Sequence, residues 1–137
     1  MIKKIEHLGI AVKDIESSNK LFAKLLGKKH YKTESVDSES VITSFFKLEE
    51  QKIELLQSTS NDSSIAKFIQ SRNEGAHHLA FHVDDIKKEI IRLKKEGFVF
   101  INETPKIGAD NKLIVFMHPK STNGILIELC QNINNKE

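Results

Sequence analysis

Apolar and β-branched residues crowd the stretch IEHLGIAV (5–12), which predicts a strand. The period then changes. Ile15, Asn19, Phe22 and the Leu25–Leu26 pair recur at helical spacing, behind Asp14 as an N-cap candidate and ahead of Gly27 as a stop. After a polar stretch, SVITSFFKL (40–48) predicts a strand, EEQ a turn, and KIELLQ (52–57) the returning partner. NDSSIAKFIQSR (61–72) predicts an extra helix, capped by Asp62 or Ser63.

The same order then repeats. HHLAFHV (77–83) predicts a strand, and Asp84 or Asp85 caps a helix carrying Ile86, Ile90 and Leu93 that Gly97 closes. FVFI (98–101), KLIVFM (112–117) and ILIELC (125–130) predict three further strands. The polar tail QNINNKE (131–137) is expected to fray. Laying residues 7–15 over 78–86 matches His7 with His78, Leu8 with Leu79, Val12 with Val83, Asp14 with Asp85 and Ile15 with Ile86. Each copy later holds an apolar strand with a central glutamate, Glu54 or Glu128. The glutamate follows its histidine by 47 residues in the first copy and 50 in the second. A duplicated β-α-β-β-β unit accounts for this better than chance. The expected class is α+β, with module 1 over about 3–60, a connecting helix over about 61–73 and module 2 over about 75–131.

Composition narrows the field. A chain of 137 residues suits one compact domain, or two small modules sharing a core. Hydrophobic residues at 39% and charged residues at 29% are ordinary for a soluble globular protein, so folding should not need disulfides. The single cysteine, Cys130, cannot form an internal bridge and fits a reducing, cytoplasmic setting. A net charge of +2 is too weak for a nucleic-acid footprint, though a local anionic ligand remains compatible. The N-terminal apolar run is interrupted by Glu6 and His7 and is too short for a signal segment or membrane span.

The matched glutamates carry the chemistry. A lone glutamate in an antiparallel strand usually points into solvent. Two at corresponding places in a repeat, each with a histidine counterpart, point to a shared site, because buried carboxylates need compensation. His77 and His78 face opposite sides of their strand, and the repeat selects His78. His82 lies four residues on, on the face of His78, as a substrate contact or spare ligand. His30 reads as an ordinary partly packed histidine. Two imidazoles and two carboxylates from His7, Glu54, His78 and Glu128 suit a borderline divalent ion: Zn²⁺, Co²⁺, Ni²⁺, Mn²⁺ or Fe²⁺. Without thiolate ligands a structural zinc site is not expected.

HLGIAVKDI, KIELL, SSIAKF, HHLAFHVDDI, PKIGA (105–109) and HPKSTNGILIEL (118–129) together resemble the vicinal-oxygen-chelate superfamily, also called the glyoxalase/bleomycin-resistance fold, over about Ile5 to Gln131. Within it the likeness is to the methylmalonyl-CoA epimerases. The resemblance implies paired modules forming a curved mixed-sheet cup around one divalent metal held by His7, Glu54, His78 and Glu128. It implies an acyl-CoA substrate, proton abstraction at C2, and stabilisation of the enolate by the metal as Lewis acid. Glu128 is the candidate base. Thr43, with Ser44 beside it, stands where some relatives have a second glutamate, so metal-bound water, His82 or an unplaced residue is left as the second proton carrier. Lys120 and Ser121, in a turn read as an Asn123–Gly124 hairpin, are candidates for contacting the substrate's anionic groups. Pro105 and Gly108 are expected to shape the loop before their strand. A homodimer is expected. The competing readings are a glyoxalase-I-type isomerisation of a glutathione hemithioacetal, Fe²⁺ dioxygenase chemistry, and a non-catalytic ligand-binding protein. No nucleic-acid or membrane partner and no redox cofactor are expected.

Overall fold

The computed structural model describes residues 1–133. The chain divides into two compact units, His7–His77 and Met1–Glu6 with the residues from His78 onward. The division passes through two strands, β1 (Ile2–Ala11) and β5 (Gly75–Val83).

In the His7–His77 unit, β1 leads into α1 (Ile15–Leu26), then β2 (Lys32–Val36), β3 (Val41–Leu48), β4 (Gln51–Ser58) and α2 (Ser64–Arg72). β2 and β3 pair antiparallel, as do β3 and β4, while β4 runs parallel to β1. Side chains alternate across the pleat, so each register assigns two faces. Phe46 and Leu55 are on one face and pack with Val12 and Ile15 against the inner side of α1. That burial is what the helical spacing of Ile15, Phe22 and Leu26 encodes. Asp14 caps α1 by accepting from the Ser17 amide at 3.0 Å, and Gly27 ends it at φ 76°, a left-handed backbone that glycine adopts without strain. α2 is capped by Ser63, which accepts from the Ala66 amide at 3.0 Å, and rests on β4 through the buried Ile65.

The second unit repeats the order. After β5 come α3 (Ile86–Lys95), β6 (Lys106–Gly108), β7 (Lys112–Met117) and β8 (Ile127–Asn132). β8 is parallel to β5 and antiparallel to β7, and β7 is antiparallel to β6. Val83, Val115, Met117, Ile127 and Leu129 pack beneath Ile86, Ile90 and Leu93 of α3. Asp85, rather than Asp84, caps α3 by accepting from the Lys88 amide at 3.2 Å.

Four expectations change. FVFI (98–101) is not a strand: it makes one bridge, Phe100 to Met117, and the third partner strand is Lys106–Gly108 instead. Its apolar residues are explained by Phe100 entering the core under α3. β2 was not visible in the hydrophobic pattern, because KTESV is polar. The last strand begins at Ile127 instead of Ile125 and runs to Asn132, so Gln131 and Asn132 of the tail expected to fray are paired with β7. The rest of that tail, 134–137, lies outside the described residues. The β7–β8 link is longer than a hairpin. It holds a 3-10 turn, Pro119–Ser121, followed by a turn in which Asn123 and Gly124 have φ 57° and 85°. No described helix is long and apolar enough to cross a membrane.

Candidate metal centre

Register places the first histidine–glutamate pair. His7 stands beside Lys52, and Gly9 beside Glu54, on the parallel β1–β4 ladder, so His7 and Glu54 share a face. That face is opposite the one covered by α1. His7 Nδ1 lies 3.1 Å from Glu54 Oε2, with both side chains 5% exposed. Across the next ladder Glu54 stands opposite Phe45, which is fully buried.

The second unit builds the same pair from the same parts. Ala80 stands beside Glu128 on the parallel β5–β8 ladder, so His78 and His82 lie on the glutamate's face. His78 Nε2 lies 3.1 Å from Glu128 Oε1, with side chains 5% and 6% exposed. The His78 ring meets Phe116 edge-on, with centroids 5.8 Å apart. Phe116 is cross-strand from Glu128 and belongs with Ala80, Ile114 and Cys130 to a small apolar cluster. The buried Cys130 thiol donates to Glu128 Oε2 at 3.4 Å. Gly108 packs close to this cluster: an added Cβ would lie 2.6 Å from Ile114 Cδ1, and that side chain would have to shift.

Neither glutamate points into solvent. Carboxylates this deep require a cationic or donor partner, and an imidazole at 3.1 Å is such a partner. Each pair offers an imidazole nitrogen and carboxylate oxygens, donors of the kind that borderline divalent cations take. His77, facing away, packs edge-on against Phe68 at 5.1 Å, as a structural histidine would.

His82 is half-buried. Burial, then the charges of Lys112 and Lys4, hold its imidazole below the ordinary value, with Glu6 and Asp84 opposing. Lys120 is exposed in the β7–β8 link, and its amide donates to His118 Nδ1 at 3.1 Å. The Ser121 hydroxyl donates to the His118 carbonyl at 3.0 Å and accepts from the Val99 amide at 3.3 Å, so it holds the turn together. Thr43 is fully buried on the face of Glu54 and Ser44 on the helix-covered face; neither hydroxyl has a hydrogen-bond partner among the described residues. Sequence reasoning missed Lys52, 8% exposed on the face of His7 and Glu54. The signal was its alternate position in QKIELLQ. A cavity of about 600 Å³ at the far end of β4, lined by Lys13, Gln57, Thr59 and Asn61 among others, touches none of the four candidate ligands.

Residues 6–116 match the Glyoxalase/Bleomycin resistance protein/Dioxygenase superfamily. The chain is 38% identical over 129 residues to the mitochondrial methylmalonyl-CoA epimerase of Dictyostelium discoideum, covering 93% of this chain and 78% of that protein. It is 37% identical over 133 residues to the ethylmalonyl-CoA/methylmalonyl-CoA epimerase of Cereibacter sphaeroides, covering 96% and 99% of the two. The crystal structure of methylmalonyl-CoA epimerase from Mycobacterium tuberculosis superposes with a TM-score of 0.92 at 30% identity, over 96% of this chain and 89% of that one.

Proposed function

The chain belongs to the Glyoxalase/Bleomycin resistance protein/Dioxygenase superfamily, and on that footing we propose that it is an epimerase that inverts C2 of methylmalonyl-CoA with the help of one divalent ion. The observation that carries the reading is the matched pair of buried His–Glu contacts at 3.1 Å, His7–Glu54 and His78–Glu128. The resemblance to named epimerases over most of the chain supports the substrate.

His7, Glu54, His78 and Glu128 would hold the ion. When bound, a divalent cation supplies Lewis acidity toward a thioester oxygen. The remaining work falls to the chain. Glu128 removes the C2 proton, and the C–H electron pair moves toward the thioester carbonyl as the enolate forms. Its two oxygens have different partners, His78 Nε2 and the Cys130 thiol, so one can take a proton while the other keeps its contact. The apolar wall of Ala80, Ile114 and Phe116 keeps bulk water from the carboxylate. A proton returned to the other face of C2 completes the inversion without net oxidation or reduction.

Protein loaded with Co²⁺ and incubated with one epimer of methylmalonyl-CoA in deuterated water should give both epimers, deuterated at C2. Turnover of a methylglyoxal–glutathione adduct with no C2 exchange would replace this reading by the glyoxalase-type one.

A further inference from the structure

Inversion at C2 needs two proton carriers, one for each face of a planar intermediate. The register of the His7–His77 unit shows which side chains can meet a ligand beside Glu54. Glu54 stands opposite Phe45, and Phe45 opposite Lys32. Two residues along, Leu56 stands opposite Thr43, and Thr43 opposite Glu34. That face of β2, β3 and β4 therefore carries Glu34, Thr43 and Glu54 together. Glu34 and Glu54 are the carboxylates of these three strands. They lie two strands apart and two residues offset along the strands, about 12 Å between backbones.

Two observations bear on what this face receives. Thr43 is fully buried, yet its hydroxyl has no hydrogen-bond partner among the described residues. Valine would fill the position without that desolvation cost, so the hydroxyl points to a polar group arriving with a ligand. Glu34 is also built in. Its carboxylate lies 3.7 Å from Lys32 Nζ, and that ammonium sits 4.8 Å over the ring of the buried Phe45. The Glu34 side chain is 35% exposed, against 5% for Glu54, so a proton on it can exchange with solvent between turnovers.

We propose that Glu34 is the second proton carrier and that the Thr43 hydroxyl, directly across the β2–β3 ladder, orients the substrate's free carboxylate. The proposal rests on the epimerase reading. From one epimer the C2–H bond breaks, its proton passes to one carboxylate, and its electron pair becomes the C1–C2 double bond as the thioester oxygen gains charge. The other carboxyl group then gives its proton to C2 on the opposite face, and the C=O bond re-forms.

The test follows each separate epimer by NMR in deuterated water with the Co²⁺-loaded protein. Glu34→Gln should slow interconversion about 100-fold or more, while one epimer still exchanges its C2 hydrogen without inverting. Its Co²⁺ affinity and thermal midpoint should match wild type. Thr43→Val should raise KM about tenfold without lowering the thermal midpoint. Ser35→Ala, on the opposite face of β2, should behave as wild type. A wild-type protein that neither exchanges nor inverts would sink the epimerase reading itself. A wild type that inverts alongside an equally fast Glu34→Gln, or a variant that loses exchange from both epimers together, would overturn this inference alone.

Discussion

His78 and His82 share a strand face but not an environment. His78 is closed in by Glu128 and Phe116, whereas His82 is half-buried among Lys112, Lys4, Glu6 and Asp84. Burial and the two lysines outweigh the acids and hold the His82 imidazole below its ordinary value of about 6.5. It is thus neutral near pH 7 and would meet a ligand as a neutral hydrogen-bonding group. The unfolded chain binds this proton more readily than the folded one. Stability from this group is therefore complete above about pH 6.5 and declines as pH falls from there through the folded-state value. Thermal midpoints measured across pH 5–8 should fall less steeply on the acid side for His82→Gln than for wild type; equal slopes would show that other groups control this range. At this scale the sequence was readable where the repeat doubled a signal: His7 with His78, Glu54 with Glu128. It was silent at Glu34 and Lys52, because each has no counterpart and both lie in polar or mixed stretches where alternation alone does not select a face.

The elements repeat more closely than their residues. α1 and α3 each begin with an aspartate cap, Asp14 and Asp85. In each, the first helical amide is also held by a glutamine three residues after the candidate ligand glutamate. Ile15 donates to Gln57 Oε1 at 2.7 Å, and Ile86 donates to Gln131 Oε1 at 2.7 Å. The helix start is thereby tied to the strand that bears the glutamate, a link the sequence contained but that its hydrophobic pattern could not reveal. Asp85→Ala should destabilise the protein by about 1 kcal/mol. Urea denaturation should show this as a lower midpoint at unchanged slope, and an unmoved midpoint would mean that Gln131 suffices. The misread elements have physical causes. FVFI is apolar because Phe100 belongs to a core, although its backbone makes only a short pairing, with Ile101 donating to Phe116 at 2.9 Å and His118 to Val99 at 2.7 Å. β2 is a real strand written in lysine, threonine, glutamate and serine, since it is the last strand on its side of the ladder, where partner pairing rather than burial specifies it.

For the whole molecule, the doubled β-α-β-β-β plan and the α+β class were legible, because duplication repeats every turn and cap signal at matching spacing. The sequence also paired the residues of both His–Glu contacts, His7 with Glu54 and His78 with Glu128. What remains for experiment is whether one ion draws on all four side chains. Two independent His–Glu pairs would bind weakly and separately; a shared site would bind once and depend on both. Calorimetric titration of the chelator-treated protein with Co²⁺ separates these cases. The account predicts one ion per chain, with His7→Ala and His78→Ala each weakening binding about 100-fold or more. Two ions per chain, or full Co²⁺ affinity in either variant, would contradict it.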